Sequence, residues 1–294
     1  MSRILVIGKN GQLGKSIQKK LSNKKQSDEF IFVGREELDL SNNNNIISYF
    51  KNNVFDIFIN CAAYTQVDKA ERDSELCNQI NHLAVLQLAK IAKYQKAKII
   101  HISTDYVFDG KNNNPYTEID KTNPINVYGK TKLDGEKAIK KILINDAIII
   151  RVSWLYSEYG SNFVKTMLHL SKKQDQINVV NDQTGSPTYA SDLADVILKV
   201  IKDKTFIKDN QKTQIYHYSN KGHISWYEFA REIFKFLKIN CKINPINSKM
   251  YPTPAQRPKI VVMNKTKISQ RFNINILGLK KSLEACILML LENK

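Results

Sequence analysis

Short apolar runs, each followed by a stretch of helical periodicity, fill the first half of the chain. Four of these runs predict strands that are buried on both faces, namely Arg3–Ile7, Phe30–Val33, Val54–Asn60 and Lys98–Thr104. A turn follows each run, and apolar residues three or four positions apart come next. Strands that alternate with helices in this way build a parallel sheet with helices on both faces. The pattern therefore predicts an α/β fold with a doubly wound parallel sheet.

A glycine-rich turn joins the first predicted strand to the first predicted helix. Gly8, Gly11 and Gly14 stand three residues apart. Gly8 permits a tight turn, Gly11 lets the backbone approach a pyrophosphate, and Gly14 lets helix and strand pack closely. Glycine triplets also occur in ordinary loops. This placement favours a Rossmann-type dinucleotide site, with Gln12 and Leu13 as further cofactor contacts.

The end of the second predicted strand bears on the choice between NADH and NADPH. A strict NAD site would hold an acidic residue here, to bind the ribose. The chain has Arg35, which could pair with the 2′-phosphate of NADPH or be a solvated loop arginine. Asp39, next to Leu40, could accept a hydrogen bond from the adenine amino group or cap the helix near Ser41. We expect Arg35, Asp39 and Leu40 at the site, and NADPH as the cofactor with NADH as the alternative.

The third and fourth predicted strands bring further residues to the same edge of the sheet. Small residues at a strand end let a flat cofactor lie against the backbone, and the third strand is followed by Ala62, Ala63 and Tyr64. Thr65 and Asp68, just beyond them, also fit a capping box for the next helix. The fourth strand delivers Thr104 and Asp105 to the carboxyl edge, where open α/β sheets bind their ligands.

Tyr128 and Lys132 open an amphipathic helix about two dozen residues after the fourth strand. Side chains four positions apart share one helical face, and an ammonium group stabilises a neighbouring phenolate. The pair could move the tyrosine pKa from about 10 toward neutrality and support acid–base catalysis without histidine or metal. Tyr-x-x-x-Lys alone is a weak signal, because many helices carry it by chance. Thr104 stands where its hydroxyl could act with Tyr128.

The second half of the chain is less regular and predicts a smaller α+β substrate domain. Helices are predicted at 162–172, at 191–201, which should pack back on the first domain, and from a capping box at Ser225 to about Leu237. Short strands are predicted at Ile177–Val180, Gln214–Tyr218 and Lys242–Ile246. We expect residues 1–154 plus about 174–202 to form the dinucleotide-binding domain, and about 155–173 plus 203–294 to form most of the discontinuous substrate-binding domain.

Long motifs extend from residue 3 to about 260. They comprise the glycine turn, Asn60–Thr65 with Glu71, Ser103–Gly110, Asn126–Lys132, Arg151–Trp154, Asn162-Phe163, Asn181–Thr188 and Tyr251–Pro258. These motifs resemble the extended short-chain dehydrogenase/reductase family and, within it, the dTDP-4-dehydrorhamnose reductases. The resemblance implies an NAD(P)H-dependent reductase that converts dTDP-4-dehydro-L-rhamnose to dTDP-L-rhamnose.

The resemblance also implies roles for single residues. Tyr128 would donate a proton to the C4 alkoxide, Lys132 would lower the tyrosine pKa and hold the nicotinamide ribose, and Thr104 would bond the carbonyl oxygen. The dTDP-linked 4-keto-6-deoxyhexose would be bound at the sugar by Asp105 and Trp154, and near the diphosphate by Asn162 and Arg257. Some relatives form a Mg²⁺-linked dimer through glutamates where this chain has Lys15-Ser16 and Ser191-Asp192. We therefore expect no metal site, and a monomer or homodimer.

Charge and cysteine content limit the classes of partner. The net charge of +17 would suit a nucleic-acid binder. The lysines, however, are spread over all 294 residues and occur with asparagine runs, which indicates compositional enrichment and no nucleic-acid partner. No apolar run approaches the roughly 20 residues of a membrane span. Four scattered cysteines and no signal peptide predict a reduced, cytoplasmic chain, and His101, within a strand, is interpreted as a hydrogen-bonded core residue.

Three other functions remain open. A nucleotide-sugar epimerase or dehydratase would share the fold, and a dehydratase would need an acid beside Thr104, the position that Asp105 occupies. The β regulatory subunit of methionine adenosyltransferase is similar in sequence and acts without catalysis, although the intact set of Thr104, Tyr128 and Lys132 argues against this reading. A nucleic-acid binder on the same scaffold would need a stripe of aromatic and basic residues, which the sequence lacks.

Overall fold

A computed structural model of the protein describes residues 1–22, 26–203, 206 and 212–292. It contains the following strands. In chain order they are β1 (Arg3–Ile7), β2 (Glu29–Val33), β3 (Ile57–Asn60), β4 (Lys98–Thr104), β5 (Ala147–Val152), β6 (Leu155–Tyr156), β7 (Gln176–Val180), β8 (Thr184–Gly185), β9 (Thr188–Tyr189), β10 (Gln214–Tyr218), β11 (Ile224–Ser225) and β12 (Lys242–Ile246). The four strands predicted in the first half of the chain are β1 to β4.

Helices alternate with these strands along the chain. They are α1 (Gln12–Ser22), α2 (Asn43–Lys51), α3 (Val67–Ala70), α4 (Ser74–Asn78), α5 (Ala84–Gln95), α6 (Val127–Ile142), α7 (Phe163–Ser171), α8 (Ala190–Val200), α9 (Trp226–Leu237), α10 (Thr266–Arg271) and α11 (Leu279–Glu292). A π-helical turn at Gln79–Leu83 joins α4 to α5. Within the described ranges, no helix has the length and apolar character that crossing a membrane requires.

One parallel sheet, with the strand order β2-β1-β3-β4-β5-β10, forms the centre of the fold. The chain moves from β1 to β2 on one side and then returns to place β3 on the other side of β1. In a doubly wound sheet this reversal leaves a crevice at the carboxyl ends of the two strands, where ligands bind. The predicted α/β fold is confirmed, and the turns after β1, β3, β4 and β5 all open at this edge.

Helices cover both faces of the sheet. On one face α1 and α8 pack against each other and against the strands through residues such as Ile17 and Ile197. On the other face α2, α5 and α6 contribute Phe50, Leu88 and Ile139. These side chains are buried, and each contributes about 1.5–3 kcal/mol relative to an exposed position. The expected packing of the helix near residues 191–201 on the first domain is observed.

Two strands lie elsewhere than the sequence pattern predicted. Gln214–Tyr218, expected in the second domain, is β10 and pairs with β5, because Tyr216 and Tyr218 are buried in the same apolar cluster as α8. The strand predicted at Ile177–Val180 and expected in the first domain is β7, which pairs with β12. It contributes Val179 to a separate apolar cluster with α7, α9 and α11. The assignment of these two strands was wrong, whereas the wider division into two domains stays a prediction.

Candidate active site

The first turn of α6 carries Tyr128 and is held against the carboxyl edge of the sheet. Asn126 caps this helix, since its Oδ1 accepts a hydrogen bond from the backbone N–H of Gly129 at 2.8 Å. A Cβ on Gly129 would stand 2.2 Å from the carbonyl oxygen of Tyr106. The helix therefore approaches the segment after β4 as closely as glycine allows, and this approach brings Tyr128 to Thr104.

The hydroxyl groups of Thr104 and Tyr128 lie beside each other. Burial raises the pKa of Tyr128, and the neighbouring Thr104 hydroxyl offsets only part of this effect. The direction is opposite to the expected lowering by Lys132, because loss of hydration is the largest effect and the charges of Asp105, Tyr106 and Cys77 raise the pKa further. The phenol is therefore protonated near neutral pH, which is the state that a proton donor requires.

Asp105 adds a buried carboxyl beside this pair. Its side chain is 3% exposed, and its Oδ1 accepts a hydrogen bond from the Thr104 hydroxyl at 3.1 Å. Burial raises the pKa of Asp105 to about 7, although the hydrogen bond from Thr104 acts in the opposite direction. A carboxyl with this pKa exchanges a proton near neutrality. Its role at the substrate sugar stays a prediction.

Lys132 lies in a buried polar cluster behind Tyr128. Its Nζ donates to the backbone carbonyl of Ile102 at 2.7 Å and stands 3.3 Å from Nε2 of His101. The residue is 1% exposed, and burial lowers the pKa of its ammonium group to about 8 against the opposing charge of Glu136. Lys132 therefore holds its proton less firmly than a surface lysine does.

The glycine turn has the backbone geometry that a dinucleotide needs. Gly8 has a φ of +95°, in the left-handed region that favours glycine, and its N–H donates to the carbonyl of Val33 at 2.9 Å. A Cβ on Gly14 would stand 2.2 Å from the carbonyl oxygen of Gly8, so helix and strand could not pack this closely with any other residue. The amino end of α1 opens at this turn, and helix amino ends bind phosphate through free N–H groups. These residues fit a pyrophosphate, with Leu13 limited to backbone contact because its side chain is buried in the core.

Arg35 and Asp39 form an ion pair after the second strand. Arg35 is exposed, with 72% of its side chain accessible, and its Nε lies 3.5 Å from Oδ1 of Asp39. Burial acts against ionisation of Asp39, but hydrogen bonds from Ser41 and the charge of Arg35 outweigh it and lower the pKa of this carboxyl. The cap of α2 is Asn42, so the alternative role of Asp39 as a helix cap is wrong. Leu40 is a core side chain.

The segment of Ala62, Ala63 and Tyr64 runs beside the glycine turn. A Cβ on Gly8 would stand 3.0 Å from the backbone nitrogen of Ala62. Asn81 holds Tyr64 on both sides, accepting from its N–H at 2.9 Å and donating to its carbonyl at 3.1 Å. The structure therefore brings the two predicted cofactor segments together at the β1/β3 crevice.

Arg257 attaches the loop 251–258 to the site. Its two terminal nitrogens donate to both carboxylate oxygens of Asp68, at 3.0 and 2.6 Å, and Tyr106 lies close to its guanidinium. α3 has no side-chain cap, so the capping box predicted through Thr65 and Asp68 is wrong. Asp68 instead neutralises the guanidinium, and the placement of Arg257 near a diphosphate stays a prediction.

Trp154 and Trp226 form a stacked pair at the end of β5. Their ring centroids are 3.4 Å apart with planes within 4°, and Trp154 has a φ of +46°. A Cβ on Gly185 would stand 2.5 Å from the Trp154 ring, so Gly185 and Trp226 both pack closely on this ring. The sequence showed Trp226 only as part of a capping box at Ser225, which is present. Sequence spacing gave no signal that α9 reaches Trp154.

Asn162 connects α7 to the glycine turn. Its Nδ2 donates to Oε1 of Gln12 at 3.0 Å and to the carbonyl of Ser157 at 2.7 Å. Its Oδ1 caps α7 by accepting from the N–H of Lys165 at 3.2 Å. The amide is thus used within the protein, and its contact with Gln12 lies on the expected cofactor side. The predicted role of Asn162 near the diphosphate remains untested.

A buried ion pair behind Lys132 was missed at the sequence level. Arg151, in β5, donates to both carboxylate oxygens of Glu136, in α6, at 2.9 and 2.7 Å. The hydroxyl of Ser103 donates to the same carboxylate at 2.5 Å. Glu136 lies one helical turn beyond Lys132, and this spacing was the available signal.

Comparisons with known proteins found a matching family and similar solved structures. The family model described as RmlD substrate binding domain matches residues 1–291. The dTDP-4-dehydrorhamnose reductase of Aggregatibacter actinomycetemcomitans is 41% identical over 283 residues, covering 93% of this chain and 94% of the relative. A solved dTDP-4-dehydrorhamnose reductase from Clostridium acetobutylicum is 41% identical with a TM-score of 0.91, covering 98% of this chain and 99% of that one. The enzyme of that name from Bacillus anthracis, solved in complex with NADP, is 35% identical with a TM-score of 0.90 and the same coverage.

Proposed function

Because this chain belongs to the RmlD substrate binding domain family, we propose that it reduces dTDP-4-dehydro-L-rhamnose to dTDP-L-rhamnose with NADPH, NADH being the alternative. The observation that carries this proposal is the convergence of Thr104, Tyr128 and Lys132 beside a glycine turn that fits a dinucleotide. The similarity to reductases of this substrate covers nearly the whole chain, so it includes both parts of the site.

The reaction needs a proton donor at the C4 oxygen of the sugar. Bound NADPH supplies the hydride that reduces the C4 carbonyl. Tyr128, protonated because burial raises its pKa, donates its phenolic proton as negative charge develops on that oxygen. The Thr104 hydroxyl stabilises the same oxygen with a second hydrogen bond. Lys132, one helical turn along, favours the phenolate that remains and holds the nicotinamide ribose.

The cofactor would lie across the β1/β3 crevice. Backbone groups of Gly8–Gly14 hold its pyrophosphate, while Ala62 and Ala63 let its flat parts lie along the backbone. Arg35 pairs with the 2′-phosphate, for which its exposed guanidinium is suited, and Asp39 faces the adenine. The preference for NADPH rests on Arg35 and on the similarity to a reductase that was solved in complex with NADP.

The sugar and its diphosphate would lie against the second half of the chain. Asp105 and Trp154 contact the sugar, and Trp154 offers a ring edge held rigid by its stack on Trp226. Asn162 and Arg257 lie near the diphosphate. Since Asp68 already pairs with Arg257, diphosphate would compete with that carboxylate or join it in one network.

We infer a cytoplasmic protein, a monomer or homodimer, with no nucleic-acid partner and no metal. All four cysteines are unpaired, as suits a reducing compartment.

One assay tests the proposal against its alternatives. Purified protein is incubated with dTDP-4-dehydro-6-deoxyhexose made in situ, and oxidation of NADPH and of NADH is followed by absorbance while the product is identified by NMR. We expect stoichiometric cofactor oxidation and a C4 alcohol. A changed sugar without net cofactor oxidation would indicate an epimerase or dehydratase. NADPH binding without any turnover would favour a regulatory subunit.

A further inference from the structure

Asn60, at the end of β3, has only one side-chain orientation that satisfies its neighbours. Its Oδ1 accepts a hydrogen bond from the backbone N–H of Ala62 at 3.1 Å. If the amide were turned over, two N–H donors would face each other at that distance. The Nδ2 group must therefore face β4, where it lies 3.2 Å from Nδ1 of His101.

This orientation decides which nitrogen of His101 carries the ring proton. Nδ1 faces an amide donor, so it must act as the acceptor. Burial, and then the charge of Lys132, hold the pKa of His101 well below its usual range, so the ring is neutral and carries one proton. That proton is therefore on Nε2, which lies 3.3 Å from Nζ of Lys132.

We propose that the Asn60–His101 pair fixes the ring proton on Nε2 and thereby presents a hydrogen-bond donor, not an acceptor, to Nζ of Lys132. A neutral amine satisfies this arrangement, because it donates to the carbonyl of Ile102 at 2.7 Å and accepts from Nε2–H. An ammonium group has no lone pair and would direct N–H against N–H. His101 is thus a positioning residue that favours release of the lysine proton.

The other groups that face Lys132 do not reverse this preference. Glu136, on the same helix, favours the ammonium, but its carboxylate is bound by Arg151 on both oxygens. Cys61, after β3, and Cys77, in α4, would favour the ammonium only as thiolates. Burial raises the pKa of both thiols, that of Cys61 to about 12, so both are neutral near pH 7.

The consequence for the reaction rests on the proposed function. After Tyr128 has given its proton to the sugar oxygen, a phenolate remains and must be reprotonated before the next turnover. Lys132, one helical turn along α6, would return a proton to that phenolate and become the amine that His101 stabilises, and water would then reprotonate the amine. The Asn60–His101 pair therefore helps to recharge Tyr128 as an acid.

Nitrogen NMR of the protein labelled with ¹⁵N-histidine tests the proton position directly, without substrate or cofactor. The signals of His101 among the five histidines are those lost in His101→Gln. We expect a pyridine-type Nδ1 and a protonated Nε2 throughout the neutral range, with the Nε2 shift moving near pH 8 as Lys132 titrates. Lys132→Met, the matched control, should abolish that movement. A proton on Nδ1, or an Nε2 shift that ignores Lys132, would overturn the proposal whether or not the protein is a reductase.

Variants test the effect on the lysine. His101→Phe keeps a ring but removes the hydrogen-bond donor, so the pKa of Lys132 should rise. NADPH binding and turnover that depend on the ammonium of Lys132 should then fall at a pH that is higher by about one unit or more. His101→Gln can accept from Asn60 and donate to Lys132, and it should restore a profile close to that of the wild type. Identical profiles in all three proteins would show that His101 only fills space.

Discussion

Arg151 and Glu136 form a two-pronged ion pair that joins β5 to α6 in the interior of the protein. Both side chains are at most 3% exposed, and the carboxylate also accepts from Ser103. Removing one member of a buried pair leaves the other charge without a partner, which costs much more than the pair itself contributes. Because Glu136 lies on the face of α6 that carries Lys132, the pair fixes the helix on which the candidate catalytic residues stand.

Glu136→Gln should therefore lower the free energy of unfolding by about 3–5 kcal/mol, since it leaves the guanidinium of Arg151 buried and unpaired. Denaturant unfolding measures this difference. Glu29→Gln breaks the exposed pair with Arg3 and should cost about 0–1 kcal/mol, which makes it the matched control. The double variant Arg151→Met/Glu136→Leu should cost less than Glu136→Gln alone. Equal losses for the buried and the exposed pair would contradict this account.

Tyr128→Phe should lower turnover by about two orders of magnitude or more and leave NADPH affinity within a few fold. The phenol donates the proton in the proposed reaction, whereas the ring, which meets Tyr106 edge to face at 5.5 Å, is kept in the variant. Steady-state rates and a fluorescence titration with NADPH separate the two effects. Unchanged turnover would rule out Tyr128 as the proton donor.

The parts of the fold and site that depend on local sequence were predictable. The glycine turn, the strand ends and the Tyr128/Lys132 spacing all act within a few residues of each other along the chain. Three features depend on contacts between segments that are distant in sequence. They are the pairing of β10 with β5, which was predicted wrongly, and the pairs Glu136–Arg151 and Trp154–Trp226. The spacing of hydrophobic and polar residues does not show which strand edge or which helix face a segment packs against. These features therefore could not be predicted from the sequence.

Some local sequence patterns were also compatible with two different roles for the same residue. Asp68 fits a helix cap in the sequence, but in the structure a better charged partner, Arg257, binds it with two hydrogen bonds. His101 was correctly interpreted as a hydrogen-bonded core residue. Its contact with Lys132 could not be foreseen, because the residues come from a strand and a helix that are adjacent only in the fold.

Arg35→Ala should weaken NADPH binding by roughly 1.5–3 kcal/mol and leave NADH binding nearly unchanged. The reason is that only NADPH has a 2′-phosphate, and the exposed guanidinium of Arg35 is free to turn from Asp39 toward it. Dissociation constants for both cofactors, measured by fluorescence, test this difference. Lys235→Ala, at an exposed position of α9, serves as the control for loss of general surface charge. Equal weakening of both cofactors would mean that Arg35 does not contact the phosphate.

Asp105 should give the protein a pH dependence opposite to that of most acidic residues. Burial raises the pKa of this carboxyl from 3.8 to about 7, so between these values the folded state holds a proton that the unfolded state has released. Where the folded state binds more protons, the free energy of unfolding falls as pH rises. The destabilisation thus grows from about pH 4 and is complete above about pH 7.

Asp105→Asn cannot ionise, so its stability relative to the wild type should increase by roughly 2–4 kcal/mol between pH 4 and pH 8. Denaturant unfolding at several pH values measures this change. Asp109 provides the control of opposite sign: a hydrogen bond from Asn123 holds its pKa below the usual value against the effect of burial. Asp109→Asn should therefore lose relative stability as the pH rises through the acidic range. A constant difference between Asp105→Asn and the wild type would mean that Asp105 ionises equally in the folded and unfolded chains, and that burial does not raise the pKa of its carboxyl.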